Sequence, residues 1–123
     1  MKKEILIVED DPQMHEIYRD MLDERKFNIT STDDPLKALQ LIQWEKKKFD
    51  LILLDILMKD KLLDGRVFFI QLREALKDRT PVIIVSVLNE DQVDDLKKIN
   101  HLSFLAKPIH REELLSEISK KLN

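Results

Sequence analysis

The segment FDLILLDILMKDKLLDG, residues 49–65, decides the fold and raises the first question about function. Its run Leu51 to Leu54 is apolar on both faces, which predicts a strand buried inside a sheet. A single carboxylate, Asp55, ends this run, and Ile56 and Leu57 follow it. Because a buried, unpaired carboxylate is energetically unfavourable, the protein must either compensate the charge of Asp55 or use it.

Further apolar segments alternate with segments of helical periodicity along the chain. The predicted strands are EILIVE (4–9), FNITST (27–32), FDLILLDIL (49–57), TPVIIVSVL (80–88) and LSFLAK (102–107). Helices are predicted from Asp11-Pro12 to near Lys26, from Asp34-Pro35 to the lysines at 46–48, and over 64–77, 89–99 and 110–122. Trp44 and the pair Phe68-Phe69 are predicted to pack within their helices. This alternation predicts an α/β fold with a parallel sheet covered by helices on both faces.

Composition excludes several classes of function. The 123 residues predict a single domain, residues 1–123, with no output domain in this chain. A formal net charge of -3 with interspersed signs gives no basic face for nucleic acid. The absence of cysteine excludes thiolate chemistry and favours a cytoplasmic location. One glycine is too few for a phosphate-binding loop of the Walker or dinucleotide type, and no segment has the length of a membrane span.

Polar side chains follow four of the predicted strands at the point where each strand ends. They are Glu9, Asp10 and Asp11 after the first strand, Asp55 in the third, Ser86 in the fourth and Lys107 in the fifth. In open parallel sheets these ends meet at one edge, where sites form. Clustered carboxylates without Cys or His suit Mg²⁺. A carboxylate nucleophile beside a metal, an ammonium and a hydroxyl group is a site able to accept a phosphoryl group.

Five motifs, in this order and spacing, link the chain to a known family: ILIVEDDP, DLILLDILM, DG, VIIVSV and FLAKP. Over essentially its whole length the chain resembles the receiver domain of two-component response regulators. The resemblance implies a flavodoxin-like (βα)5 sandwich with a parallel sheet of order 2-1-3-4-5. It also implies phosphorelay signalling, in which the protein catalyses its own Mg²⁺-dependent phosphorylation and its own slow dephosphorylation.

The resemblance assigns a metal site to the acids that follow the first strand. Asp10 is the expected direct ligand of Mg²⁺, and Glu9 is expected to act through water. Asp55 and the backbone carbonyl of Leu57 would complete the site. Asp11 is interpreted as the cap of the first helix.

The resemblance also assigns the groups of phosphoryl transfer. Asp55 matches the phosphoacceptor, and Lys107 matches the lysine that grips the phosphoryl group. Ser86 would bond a phosphoryl oxygen and shift on activation, and Phe104 would change rotamer with it. The Lys107-Pro108 bond is expected to be cis. On this interpretation Asp55 ends a buried strand in order to be phosphorylated, and Mg²⁺ and Lys107 offset the burial of its charge.

The implied partner is a sensor histidine kinase or a histidine phosphotransfer protein, whose phosphohistidine donates the group. Phosphorylation would shift the population of arrangements of the fourth helix. The face formed by helix 4, strand 5 and helix 5 would then bind a downstream protein or form a homodimer. Direct binding to nucleic acid or to a membrane is not expected.

Three features depart from the family pattern. Residues Lys59 to Leu63 look like an insertion beside the site, either a tolerated surface insertion or one that reshapes access to Asp55. Val87 follows Ser86 where a small residue is usual, and would narrow the phosphoryl pocket. The flanking residues Leu57 and Leu88 are apolar and cannot orient an attacking water, which predicts a long-lived phosphorylated form.

Each site residue taken alone also has an ordinary structural explanation. Glu9 and Asp10 fit first-turn acids of a helix, Ser86 a strand-end serine and Lys107 a surface lysine. Phe104 fits packing as well as it fits a switch. The histidines, His15 among them, are expected to face solvent. The meeting of several such groups at strand ends is what favours a functional site.

Two other functions stay open. A receiver-like interaction module that is not phosphorylated would account for Val87 and for the insertion, whereas the intact acids oppose it. A small phosphatase with an aspartyl-phosphate intermediate would carry a second aspartate two residues after Asp55, where Leu57 stands instead.

Overall fold

A five-stranded parallel sheet forms the centre of the computed structural model, with strand order β2-β1-β3-β4-β5. The structure describes residues 2–58, 64–98 and 102–122. The strands are β1 (Lys3–Val8), β2 (Phe27–Thr32), β3 (Leu51–Leu54), β4 (Val82–Ser86) and β5 (Leu102–Ala106). The predicted parallel sheet and its order are confirmed.

In the described ranges, five α-helices connect and follow the strands. They are α1 (Pro12–Met21), α2 (Pro35–Gln43), α3 (Gly65–Ile70), α4 (Asp94–Lys97) and α5 (Arg111–Leu122). A π-helical turn, Gln71–Ala75, continues α3, and a 3-10 helix, Glu90–Val93, precedes α4. No helix among the described residues is long and apolar enough to cross a membrane.

Asp-Pro pairs start the first two helices as predicted. The Asp11 carboxylate accepts a hydrogen bond from the Gln13 amide at 2.9 Å, and the Asp34 carboxylate accepts one from the Leu36 amide at 2.9 Å. Each carboxylate satisfies an amide that has no partner within the helix, while the proline stands where no amide is needed.

The core has two layers because alternate residues of each strand point to opposite faces of the sheet. One layer includes Leu6, Val8, Ile52, Leu54, Val82 and Ile84, with Phe68 and Phe69 of α3 against it. The other layer includes Ile5, Ile7, Leu51, Leu53, Ile83 and Val85, with residues of α1 and α5 against it. The runs are apolar on both faces because helices cover both faces.

The ends of the first two helices differ from the prediction. Helix α1 ends at Met21 and not near Lys26, because the Asp23 carboxylate accepts the Arg25 amide at 2.9 Å and stabilises a turn. Helix α2 ends at Gln43, before the lysines. Trp44, predicted to pack, caps α2 and is 73% exposed. That prediction was wrong because the helix ends before it can turn the indole toward the core.

The other elements are shorter or more divided than predicted. Strand β3 ends at Leu54 and β4 at Ser86, which leaves Asp55 and Val87 in loops. The segment predicted as a weak fourth helix divides into the 3-10 helix and one turn of α4, in which Val93 and Leu96 are buried as the pattern predicted. In α3, Phe68 and Phe69 are buried. The predicted insertion, Lys59 to Leu63, lies outside the described residues.

Candidate functional site

The sheet brings the predicted acids together at one edge. Val8 of β1 pairs with Leu54 of β3, so the residues that follow them, Glu9 and Asp55, lie side by side. The Asp55 amide donates to the Val8 carbonyl at 3.0 Å, which continues the ladder past the strand end. Both side chains are buried, whereas Asp10 is half-buried. The register of β1 and β3 therefore fixes two carboxylates in an apolar surrounding.

Lys107 supplies the opposite charge. Ser86 pairs with Ala106 across β4 and β5, and the Lys107 amide donates to the Ser86 carbonyl at 2.8 Å. The Lys107 ammonium Nζ lies 2.7 Å from Glu9 Oε1 and 3.0 Å from Asp55 Oδ2. The Lys107-Pro108 bond is cis, as predicted. One ammonium group thus bridges two buried carboxylates.

Three carboxylates converge closely enough to hold a metal ion. Ligand oxygens of Glu9, Asp10 and Asp55 lie within 4.8 Å of one another, and no other such group occurs among the residues that the structure describes. All donors are hard oxygen atoms, which fits Mg²⁺ and not zinc. One ammonium cannot neutralise three negative charges, so a divalent cation would complete the electrostatic balance of the cluster.

Burial and charge shift the pKa values at the site. Burial raises the pKa of Glu9 from 4.5 to about 7, with a further rise from the charge of Asp55. The hydrogen bond from Lys107 opposes this rise without cancelling it. For Lys107, burial alone would lower the pKa, but hydrogen bonds to Glu9 and Asp55 outweigh it and raise the pKa. Lys107 therefore stays charged, and Glu9 gives up its proton less readily than an exposed glutamate does.

We expect the metal-free protein to lose stability as the pH rises toward neutrality, because of Glu9. The folded pKa of Glu9, about 7, exceeds its ordinary value of 4.5, so folding binds a proton in this interval. The contribution is complete below the ordinary pKa and is lost as the pH rises through the folded pKa. It amounts to at most about 3 kcal/mol in free energy of unfolding. Urea unfolding in EDTA at several pH values measures it.

The control for this prediction is Glu9→Gln, which cannot titrate. The difference in free energy of unfolding between wild type and this variant should grow in favour of the variant as the pH rises. A difference that stays constant across the interval would contradict the assignment of the pH dependence to Glu9.

The remaining predicted residues lie near the site with different degrees of contact. The Leu57 amide donates to Asp55 Oδ1 at 3.2 Å. Ser86 is fully buried, and its Oγ accepts the Leu88 amide at 3.3 Å. Phe104 is half-buried on β5 and packs against the core layer that contains Leu6. Ser86 is thus joined to Lys107 through the main chain, and Phe104 lies in the core layer.

An open cleft of about 420 Å³ gives access to the site. Its lining residues are Glu9, Asp10, Asp11, Asp55, Leu57, Val87 and Lys107. Val87 is 67% exposed and stands at the wall of this cleft, so its side chain projects into the approach to Asp55 and not into the core. The cleft therefore combines two apolar side chains, Leu57 and Val87, with the charged groups of the site.

Two residues near the site make contacts that sequence reasoning missed. His15, expected to face solvent, is half-buried, and its Nε2 lies 2.5 Å from the Glu9 carbonyl oxygen. Because a carbonyl only accepts, Nε2 carries the proton. His15 stands one turn after the cap Asp11, and this spacing was the available signal. Gly65 is the second: a Cβ there would lie 2.0 Å from the Asp55 carbonyl oxygen.

Comparison with known proteins gives the family. The sequence matches the family model described as response regulator receiver domain over residues 5–119. It is 33% identical over 112 residues to the two-component response regulators ORR22 of Oryza sativa and ARR12 of Arabidopsis thaliana. The alignments cover 89% of this chain but 15% and 18% of those proteins, so the chain spans less than a fifth of their length.

Solved structures of receiver domains agree with this family assignment. The receiver domain of a sensor histidine kinase from Pseudomonas aeruginosa PAO1 is 28% identical with a TM-score of 0.80, and the match covers 99% of this chain and 98% of that one. That structure has a magnesium ion coordinated in its active site cleft. The receiver domain of a histidine kinase from Syntrophus aciditrophicus is also 28% identical, with a TM-score of 0.79, 98% of this chain and 89% of that chain covered.

Fold and sequence together define a domain of two-component signal transduction. The chain belongs to the response regulator receiver domain family. The family and the flavodoxin-like fold predicted from the sequence are confirmed.

Proposed function

We propose that Asp55 accepts a phosphoryl group from a phosphohistidine, with Mg²⁺ held by Glu9, Asp10, Asp55 and the backbone carbonyl of Leu57. The observation that carries the proposal is the position of the Lys107 ammonium, 2.7 Å from Glu9 and 3.0 Å from Asp55, on the floor of an open acidic cleft. Such an ammonium offsets the negative charge that the phosphoryl oxygens bring to a buried carboxylate.

The two oxygens of Asp55 have different roles in this proposal. One carboxylate oxygen of Asp55 attacks phosphorus as the bond from phosphorus to the donor's imidazole nitrogen breaks, and the bonding electron pair stays on that nitrogen. The donor ring, protonated on its other nitrogen before the transfer, leaves as neutral imidazole. Oδ1 is oriented by the Leu57 amide and Oδ2 by Lys107. When bound, Mg²⁺ would neutralise charge on the carboxylates and on the transferring oxygens. The Ser86 hydroxyl would exchange its bond with the Leu88 amide for one to a phosphoryl oxygen.

The partners follow from the same proposal. A sensor histidine kinase or a histidine phosphotransfer protein would donate the group, and the face of α4, β5 and α5 would carry the change to a downstream protein or to a second copy of this chain. Phe104, on β5, lies within that face. A cytoplasmic location, favoured by the cysteine-free sequence, and a single phosphorylatable domain over residues 1–123 belong to the same proposal.

Intact mass after incubation with acetyl phosphate tests the function. We expect wild type to gain one phosphoryl group when Mg²⁺ is present and none in EDTA, because the metal and Lys107 together offset the added charge. Asp55→Asn should gain none, since an amide is not nucleophilic. Asp50→Asn, an exposed carboxylate before β3, is the matched control and should behave as wild type.

Two results would contradict the proposal. Wild type that stays unmodified with donor and metal in excess would identify the chain as a receiver-like interaction module. Modification that persists in Asp55→Asn would place the acceptor elsewhere.

The phosphorylated form should be long-lived, because the side chains of Leu57 and Val87 line the cleft and offer a water molecule no hydrogen bond. Leu88, predicted together with Leu57 to flank the site, packs against the core. Replacing Leu57 with Asn supplies an amide that orients water, and should speed loss of the group by on the order of tenfold. The decay of the added mass after removal of the donor measures the rate. Val67→Asn, at an exposed position on α3, is the control, and equal rates in wild type and Leu57→Asn would refute the explanation.

A further inference from the structure

A chain of contacts leads from the main chain of Asp55 to α4. Helix α3 starts against the strand end: the Gly65 amide donates to the Ile56 carbonyl at 3.1 Å, and Gly65 has no room for a Cβ beside the Asp55 carbonyl. The Asp64 carboxylate caps the helix through the Val67 amide at 2.9 Å. The first turn of α3 is therefore fixed to the main chain that carries Asp55.

Arg66, the next residue, reaches from this anchored turn to the opposite element. Its guanidinium forms an ion pair with the Asp95 carboxylate of α4, and its Nη2 donates to the Gln92 carbonyl at 2.8 Å. The ion pair lowers the pKa of Asp95. One planar group thus binds both the 3-10 helix and α4, with the geometry for which arginine is suited and lysine is not.

The segment that Arg66 holds is made of two short elements. It consists of a 3-10 helix of four residues and an α-helix of four residues, each too short to be stable alone. Among its described side chains, Val93 and Leu96 are buried and attach it to the core. The Asn89 amide donates a hydrogen bond to Gln92 Oε1 at 2.7 Å, which closes its first turn. Loss of two hydrogen bonds from Arg66 is therefore a large change for this segment.

The held segment also begins close to the site. Ser86 is buried at the end of β4, and Asn89 at the start of the 3-10 helix follows three residues later. If Ser86 moves to bond a phosphoryl oxygen, the loop 87–89 must follow, and the loop pulls on a 3-10 helix whose Gln92 carbonyl Arg66 holds. Arg66 therefore opposes the movement of Ser86.

We propose that Arg66 is a positioning residue that holds the 3-10 helix and α4 against α3, and so opposes the rearrangement that phosphorylation of Asp55 requires. The proposal rests on the function proposed above and names a regulating contact of that site. Because coupling is reciprocal, a change that releases α4 must strengthen the binding of a phosphoryl group or its mimic at Asp55.

Binding of beryllium trifluoride, a tetrahedral mimic of a phosphoryl group on a carboxylate, tests the proposal. Bound fluoride is measured by fluorine NMR in Mg²⁺ for wild type, Arg66→Met, Asp95→Asn and the double variant. We expect Arg66→Met to bind the mimic about fivefold more tightly. Asp95→Asn should show a smaller gain, because it removes only the ion pair and leaves the bond from Arg66 to the Gln92 carbonyl. The double variant should equal Arg66→Met, because Arg66→Met already removes both contacts.

A second measurement examines the contact without any ligand. Amide hydrogen exchange over residues 92–98 should be about fivefold faster in Arg66→Met than in wild type, while exchange in β1 and β3 stays unchanged. Arg25→Met is the matched control: Arg25 forms an ion pair with Asp23 at 3.1 Å in the loop after α1, far along the chain from α4. Neither measurement should change in the control.

The outcomes separate this proposal from the proposed function. If wild type binds no mimic with Mg²⁺ present, the proposed function is overturned and the coupling with it, whatever the exchange rates. If wild type binds the mimic but Arg66→Met binds it equally or more weakly, the proposed function stands and Arg66 has only a structural role. Unchanged exchange over residues 92–98 would likewise overturn the proposal.

Discussion

Lys107→Met should abolish phosphorylation of Asp55 and lower the free energy of unfolding by about 3 kcal/mol in EDTA above neutral pH. The methionine keeps much of the side-chain volume but leaves Glu9 and Asp55 buried without their ammonium partner. Glu9, whose pKa burial already raises, can then escape the unfavourable burial of its charge by binding a proton, so the loss of stability should shrink as the pH falls. Urea unfolding across this pH range, with and without Mg²⁺, measures the effect.

The same variant tests whether metal and lysine act on the same charges. Mg²⁺ binds the folded state and should restore part of the stability, because it neutralises the carboxylates that the lysine no longer contacts. Lys120→Met, which removes an exposed lysine 3.3 Å from Glu117 on α5, is the matched control and should change stability by less than about 1 kcal/mol. If the free energy of unfolding that Lys107→Met loses does not depend on pH, the cause is a packing defect and not the unpaired charge of the carboxylates.

The strands and the site acids could be predicted from the sequence for one physical reason. Parallel strands covered on both faces are continuous apolar runs, and a run has an identifiable end. The polar residues at those ends, Glu9, Asp55 and Lys107, must then meet at one edge of the sheet. No knowledge of the packing of the helices is needed for this step, and the distances of the Lys107 ammonium agree with it.

The helix ends and the groups supporting the site could not be predicted in this way, because they depend on contacts between distant parts of the chain. Trp44 has an apolar side chain at a helical spacing, yet α2 ends before it and leaves it exposed. His15 is polar on a polar helix face, yet the position of β1 supplies a carbonyl within 2.5 Å of it. Arg66 is one of many charged residues, and only the fold places Asp95 and Gln92 beside it.

Gly65 is another residue whose role depends on a contact between distant parts of the chain. Its substitution gives the second of the two large predicted effects. Gly65 is the single glycine of the chain, and its φ is not positive. Its backbone conformation therefore does not require a glycine. Its role is space: a Cβ would lie 2.0 Å from the Asp55 carbonyl oxygen and 2.7 Å from the Ile56 Cα. Both are main-chain atoms, which cannot rotate away as a side chain can.

Gly65→Ala should therefore lower the free energy of unfolding by about 3 kcal/mol, at the upper end of the effects of overpacking. The first turn of α3 must move off the main chain of Asp55, which breaks the bond from the Gly65 amide to the Ile56 carbonyl, 3.1 Å in wild type. Because α3 would then no longer support the main chain that carries the proposed acceptor, phosphorylation by acetyl phosphate should slow by on the order of a hundredfold. Urea unfolding and intact mass measure the two effects.

Phosphorylation rates are compared without urea, at a temperature at which circular dichroism shows that the variant is folded. Unfolded protein then does not contribute to the loss of rate. Gln71→Ala, at an exposed position after α3, is the control and should match wild type in rate, since alanine is favourable in a helix and the position is far along α3 from Asp55. A folded Gly65→Ala that is phosphorylated at the wild-type rate would mean that α3 can move without displacing Asp55. In that case the close approach of Gly65 stabilises the packing of α3 and has no part in the position of the acceptor.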